Sequence, residues 1–88
     1  MLPKNRRPTH PGEILLEEFL APRAMSQSEL SEKLDIPLQR VNTIVNGKRS
    51  VTPETAILLA RFFETTAEFW MNLQTQYDLW LAERKMAT

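Results

Sequence analysis

From Ser26 to Ser50 the chain reads SQSELSEKLDIPLQRVNTIVNGKRS. Two short segments of helical periodicity lie within it, and only Asp35 and Ile36 stand between them. The first opens on Ser26 with Glu29 three residues on, a capping box in which each side chain satisfies an orphan backbone N–H. Leu30 and Leu34 follow at core spacing. The second segment starts near Pro37, sets Val41, Ile44 and Val45 on one side, and stops at Gly47. A corner of two residues is too short for an antiparallel pair of helices. It forces a steep crossing, with Ile36 as the apolar plug beneath the turn, and few all-helical arrangements contain one.

The rest of the chain repeats the helical period. Pro11 begins a first helix with an apolar stripe of Leu15, Leu16, Phe19 and Leu20, and Pro22 stops it. Thr52 caps a fourth helix with Pro53 as its first residue, and Ala56, Leu59, Ala60 and Phe63 recur along it. Thr66 caps a fifth that runs to about Arg84, with Phe69, Trp70 and Leu73 assigned to the core. No stretch alternates long enough for a strand. The expectation is an all-α fold of five helices with a long C-terminal helix. Residues 1–10 read as a polar arm, and 11–88 as a single domain.

Composition excludes several functions. The chain has no cysteine, hence no disulfide framework and no thiolate metal site, which suits a reducing compartment. No run reaches the ~20 apolar residues of a membrane span, and Glu17 and Glu18 break ILLEEFLAP as a signal-peptide core. The default location is cytoplasmic. Two glycines and one histidine leave little from which to build a catalytic site, and no cofactor motif is present. Glu17 and Glu18, being adjacent, point to different sides of a helix and make no carboxylate pair. His10, alone and without cysteines or paired acids nearby, makes no metal site and is expected to pack near the first helix. Met25, Met71 and Met86 read as filler rather than ligands.

The net charge is zero, yet the charge is segregated. From Ile36 to Pro53 there is no acid, while Arg40, Lys48 and Arg49 are present. A local basic face acts on phosphate over about a Debye length, ~10 Å, even on a neutral molecule. The outer face of the third helix carries Leu38, Gln39, Arg40, Asn42, Thr43 and Asn46, side chains suited to base edges and phosphates in a major groove. A short corner that projects such a helix is the geometry of a DNA-binding helix-turn-helix, here over about 26–46. A solvated face of any small bundle is the bland alternative. It predicts no salt-dependent affinity for DNA, whereas a DNA binder's affinity falls steeply with salt.

QSELSEKLDIPLQRVNTIVNGKR resembles the helix-turn-helix of the phage-repressor-like (XRE, Cro/C1) family, with Gln27, Leu30, Ser31, Val41, Ile44 and Asn46-Gly47-Lys48 at the family's places. HPGEILLEEFL, NGKRSVTPETAILLARFF and TTAEFWMNLQTQYDLW extend the resemblance to the HigA-type antitoxins (the VapI group) over nearly the whole chain. The chain departs from the family at Asp35, where the turn usually has Gly; at Ser31, where Ala is usual; and at Ala67, where the last helix usually starts with Pro. The resemblance implies a lambda-repressor-like fold and a homodimer that binds double-stranded DNA at a palindromic operator. It also implies an antitoxin that represses its own operon and neutralises a RelE-like, mRNA-cleaving toxin. A stand-alone XRE-type regulator without a toxin is the alternative, and a short basic reading frame next door would favour the antitoxin.

By position in that motif, Gln39, Arg40 and Thr43 are the leading candidates for base contact, with Asn42 open to a base or a phosphate. Leu38 is either a thymine-methyl contact or a surface leucine. Gln27, Asn46, Lys48 and Arg49 are assigned to phosphate, with a helix-end cap as the other role of Asn46 and a solvated loop as the other reading of Lys48 and Arg49. Lys4, Arg6 and Arg7 either reach DNA or form a soluble tail. Tyr77, Trp80 and Leu81 extend the aromatic stripe of the fifth helix beyond what a small core needs. They are assigned to a dimer interface, with packing on the first helix as the alternative.

Overall fold

The computed structural model describes residues 7–87; Lys4 and Arg6 of the arm lie outside the described residues. Among the described residues the chain makes five helical rods and no strand. They are α1 (Pro11–Ile14) with a π-wound continuation (Leu15–Leu20), α2 (Gln27–Leu34), α3 (Leu38–Val45), α4 (Pro53–Phe63) and α5 (Ala67–Met86).

The helix starts follow from the caps. Ser26 Oγ accepts from Glu29 N–H at 3.0 Å while Glu29 Oε1 accepts from Ser26 N–H at 3.1 Å, closing the capping box. Thr52 accepts from Thr55 N–H and Thr66 from Phe69 N–H. The cap of α1 is His10, whose Nδ1 accepts from Gly12 N–H at 2.9 Å. Such caps are each worth about 1 kcal/mol.

The helix ends share one device. Ala24, Asp35, Gly47 and Glu64 all take a left-handed backbone, with φ of 51°, 56°, 74° and 59°. Each is followed by an N–H that reaches back five residues: Met25 to Leu20, Ile36 to Ser31, Lys48 to Thr43 and Thr65 to Ala60. These are Schellman-type stops. One of the four is glycine; the others carry the steric cost of a left-handed Cβ, least for Asp35.

The π winding of Leu15–Leu20 alters one expectation. Ala21 N–H donates to Leu16 O, five residues back, at 2.9 Å. The wider turn puts Leu15 and Leu20 on one face, where both are buried, and rotates Leu16 outward to 38% exposure. Leu16 is therefore not part of the core stripe.

Trp70, Leu30, Leu59, Ile44, Val41 and Val51 fill the centre with those two leucines. Trp70 Nε1–H donates to Thr65 Oγ1 at 2.8 Å, which satisfies its one polar atom. Phe69, assigned above to the core, lies instead at its rim with 38% exposure. The buried line of α5 runs through Trp70 and Gln74, so Phe69 is turned about 100° away. Its ring still meets Trp70 edge-on, with centroids 5.1 Å apart. No helix among the described residues is long and apolar enough to cross a membrane.

Candidate nucleic-acid interface

The corner forms as the sequence reading requires. Asp35 closes α2 in the left-handed region, and Ile36, half-buried against the core, sits beneath the turn. Pro37 starts α3 with an extended ψ of 141° and no side-chain cap. Ser31 is buried, and its hydroxyl donates to Ser28 O at 2.7 Å and so needs no other partner.

α3 divides into two faces. Val41, Ile44 and Val45 are buried. Leu38, Gln39 and Asn46 are exposed, and Arg40, Asn42 and Thr43 are half-buried on the outer side. The structure thus brings every side chain assigned to base contact onto one accessible strip. Thr43 is less free than its place in the motif implies. Its hydroxyl lies 2.9 Å from Gln39 O and 3.1 Å from Arg40 O, so its proton is committed to its own helix. The methyl and an oxygen lone pair are what it can offer outward.

Gln27, the first residue of α2, is half-buried at that helix's N-terminus. Asn46 takes the cap position at the C-terminus of α3, with its N–H on Asn42 O and its side chain in solvent. The loop that follows is tied down by its backbone: Gly47 N–H reaches Ile44 O, and Lys48 and Arg49 N–H both reach Thr43 O, at 2.9 and 3.2 Å. The Lys48 and Arg49 side chains are exposed. Arg40 and Arg49 line a cleft of about 110 Å³ with Ser50, Thr52, Glu54 and Thr55, beside the N-terminus of α4. Glu54 is an acid at the edge of this face, placed where a helix start favours one. Among the described residues no carboxylate pairs with Arg40, Lys48 or Arg49; the ion pair seen is Arg7–Glu13, at 3.4 Å and half-exposed.

Sequence reasoning missed Gln74. It is 3% exposed, accepts from Val51 N–H at 2.7 Å and donates to Asp78 Oδ1 at 2.9 Å. The signal was present: a polar residue between Trp70 and Tyr77 within the apolar stripe of α5 must have partners.

The C-terminal half of α5 carries the residues assigned to a dimer interface, and they are not equivalent. Tyr77 meets the buried His10 ring edge-on at 4.8 Å, so part of it packs within the subunit. Trp80 is half-buried under the Arg84 guanidinium, which lies 4.8 Å from its ring centroid. Leu81 is 38% exposed, and Leu79, not singled out above, is 58% exposed. His10 has its acidity raised chiefly by burial, with Arg7 adding and Asp78 and Glu13 opposing, so the imidazole favours its neutral form.

With this geometry in place, likeness to known proteins is informative. A family model described as helix-turn-helix matches residues 16–70. The uncharacterized HTH-type transcriptional regulator YbaQ of Escherichia coli K12 is 45% identical over 83 residues, which are 94% of this chain and 74% of YbaQ. Among solved structures, an addiction module antidote protein of the HigA family from Coxiella burnetii is 51% identical with a TM-score of 0.87, covering 93% of this chain and 89% of that one. The antitoxin HigA of Pseudomonas aeruginosa, solved with the higBA promoter, is 44% identical with a TM-score of 0.88, covering 90% of this chain and 86% of that one.

Proposed function

Because the chain belongs to the helix-turn-helix family and, within it, to the HigA-type antitoxins, we propose that it represses its own operon as a DNA-bound homodimer and neutralises an mRNA-cleaving, RelE-like toxin. The observation that carries the DNA-binding part is the outer strip of α3: accessible, free of acids, and flanked by Arg40, Lys48 and Arg49 without carboxylate partners among the described residues. A relative at 44% identity solved with promoter DNA supports the same reading.

In this reading α3 lies in the major groove. Gln39, Arg40 and Asn42 read base edges, Leu38 and the Thr43 methyl meet thymine methyls, and a good bidentate contact supplies about 1–3 kcal/mol of discrimination. Gln27, Asn46, Lys48 and Arg49 hold phosphates on either side and set the register. Of the arm's basic residues Arg7 is described, and it is already engaged with Glu13. Leu81 and Trp80, with Tyr77 at the edge, join two copies so that their α3 helices stand about one turn of DNA apart, ~34 Å, on a palindromic site. The protein acts by binding and not by catalysis, and its work on DNA places it in the cytoplasm. A regulator of the same fold without a toxin is the second reading, favoured by the likeness to YbaQ. A short basic reading frame beside the gene separates the two.

The test is a gel shift with the DNA immediately upstream of the protein's own reading frame, at two salt concentrations, against a scrambled duplex. Specific retardation that weakens steeply with salt is the expected result. Equal, salt-insensitive behaviour on both duplexes overturns the reading.

A further inference from the structure

We propose that Gln74 is a positioning residue for DNA binding: it anchors the exit of the loop that carries Lys48 and Arg49, and Asp78 sets the direction of its amide. The proposal rests on the operator-binding reading above and adds to it a residue on α5, outside the helix-turn-helix.

The loop from Asn46 to Thr52 is held at two ends. At its entry the backbone N–H groups of Lys48 and Arg49 converge on Thr43 O of α3. At its exit Val51 is buried, and its N–H is met by Gln74 Oε1, 23 residues further along the chain, at 2.7 Å. Between these ties the Lys48, Arg49 and Ser50 side chains stand in solvent. The same Gln74 borders a cleft with Lys48, Arg49, Tyr77, Asp78 and Leu81. The path of the loop past this cleft therefore depends on an amide buried in α5.

The orientation of that amide is determined. Val51 N–H can only donate, so the carbonyl oxygen of Gln74 must face it. An ionised Asp78 can only accept, and it lies one helical turn on, where it takes the Nε2–H at 2.9 Å. Reversing the amide would set donor against donor and acceptor against acceptor. Leucine, asparagine and an ionised glutamate each fail one of the two partners. Leucine fills the space but orphans a buried N–H, and asparagine is one methylene too short. A carboxylate accepts from Val51 but faces the Asp78 carboxylate.

The test uses the full chain carrying Gln74→Leu, Gln74→Glu, or Gln74→Glu combined with Asp78→Asn. Each is titrated, at a temperature where circular dichroism shows it folded, against the upstream duplex and the scrambled duplex over a range of salt. The Val51 amide exchange rate is followed by NMR. With Gln74→Leu, affinity should fall about tenfold on both duplexes, and the slope of log affinity against log salt should flatten by about one phosphate, ~0.9. Val51 exchange should quicken about tenfold. Gln74→Glu should weaken binding similarly. Adding Asp78→Asn should restore it to within about threefold, because the introduced amide donates to the introduced carboxylate. Unchanged affinity and slope in folded Gln74→Leu overturn the proposal, as does a double variant no better than Gln74→Glu. Should Gln74→Leu fail to fold, the comparison of Gln74→Glu with the double variant decides. If the unaltered protein discriminates neither duplex and ignores salt, the operator-binding reading falls first. If it binds and the variants match it, only the role of Gln74 falls.

Discussion

Gly12→Ala is the perturbation for which the structure gives the sharpest expectation. Gly12 is buried in the first turn of α1, where that helix crosses α3. A Cβ placed on it would overlap the Ile44 carbonyl oxygen and lie 2.7 Å from the Ile44 carbonyl carbon and 3.0 Å from Val45 Cα. All three atoms are backbone of α3, so no rotamer change can yield. The helices must separate by about an ångström, against an ordinary carbon–carbon contact of ~3.5–4.0 Å. Separation loosens Leu15 and Leu20 in the core, and overpacking of this kind costs about 1–3 kcal/mol. It also pulls Gly12 N–H from His10 Nδ1, a cap worth about 1 kcal/mol. Alanine recovers somewhat less than ~1 kcal/mol through helix propensity, since the site is at the helix start. The net loss is about 1–3 kcal/mol, out of a total near 5–10 kcal/mol for a domain this size. At about 4–8 °C per kcal/mol, the Tm should fall by roughly 5–20 °C. Thermal unfolding followed by far-UV circular dichroism measures it, with Glu13→Ala, next door and half-exposed, as a control within about ±0.5 kcal/mol. A Gly12→Ala protein melting within about 3 °C of the parent would refute the close-crossing argument.

Four further outcomes are expected. Burial holds His10 neutral below its ordinary pKa of ~6.5, so the unfolded chain binds the extra proton first. Stability, full above that value, should decline as pH falls from 7.5 through 6 in urea titrations, and His10→Asn, which keeps a cap acceptor, should flatten the decline. Glu64→Gly, relieving a left-handed φ of 59°, should raise stability by about 0.5–1 kcal/mol; a lower urea midpoint would contradict the strain. Arg40→Ala with Thr43→Ala should relax base preference, while Lys48→Ala with Arg49→Ala should weaken all duplexes and flatten the salt slope; identical behaviour of the two pairs in competition gel shifts would dissolve the division of roles. Leu81→Glu should shift the sedimentation coefficient from dimer to monomer, and an unchanged value removes that face from the interface.

Much of this protein is legible residue by residue. The starts of α2, α4 and α5 are written in Ser26, Thr52 and Thr66, because a cap acts on N–H groups two or three residues away. The corner is likewise local: Asp35 tolerates a left-handed backbone, and two residues leave no room for another geometry. With that corner in place, the outward face of α3, and hence the candidate DNA strip, follows from helical periodicity alone. Other features depend on which distant segments meet. Leu16 leaves the core because α1 widens into a π turn, and Phe69 is displaced to the rim because Trp70 and Gln74 take the inward positions of α5. His10 finds Tyr77, Gly12 admits Ile44, and Gln74 reaches back 23 residues to Val51. None of these pairings has a local signature, since a side chain's spacing reports which face it shares and not what that face will touch. Sequence by itself determined the helices, their starts and the candidate strip on α3; tertiary packing decided which buried polar groups and close approaches hold that strip in place.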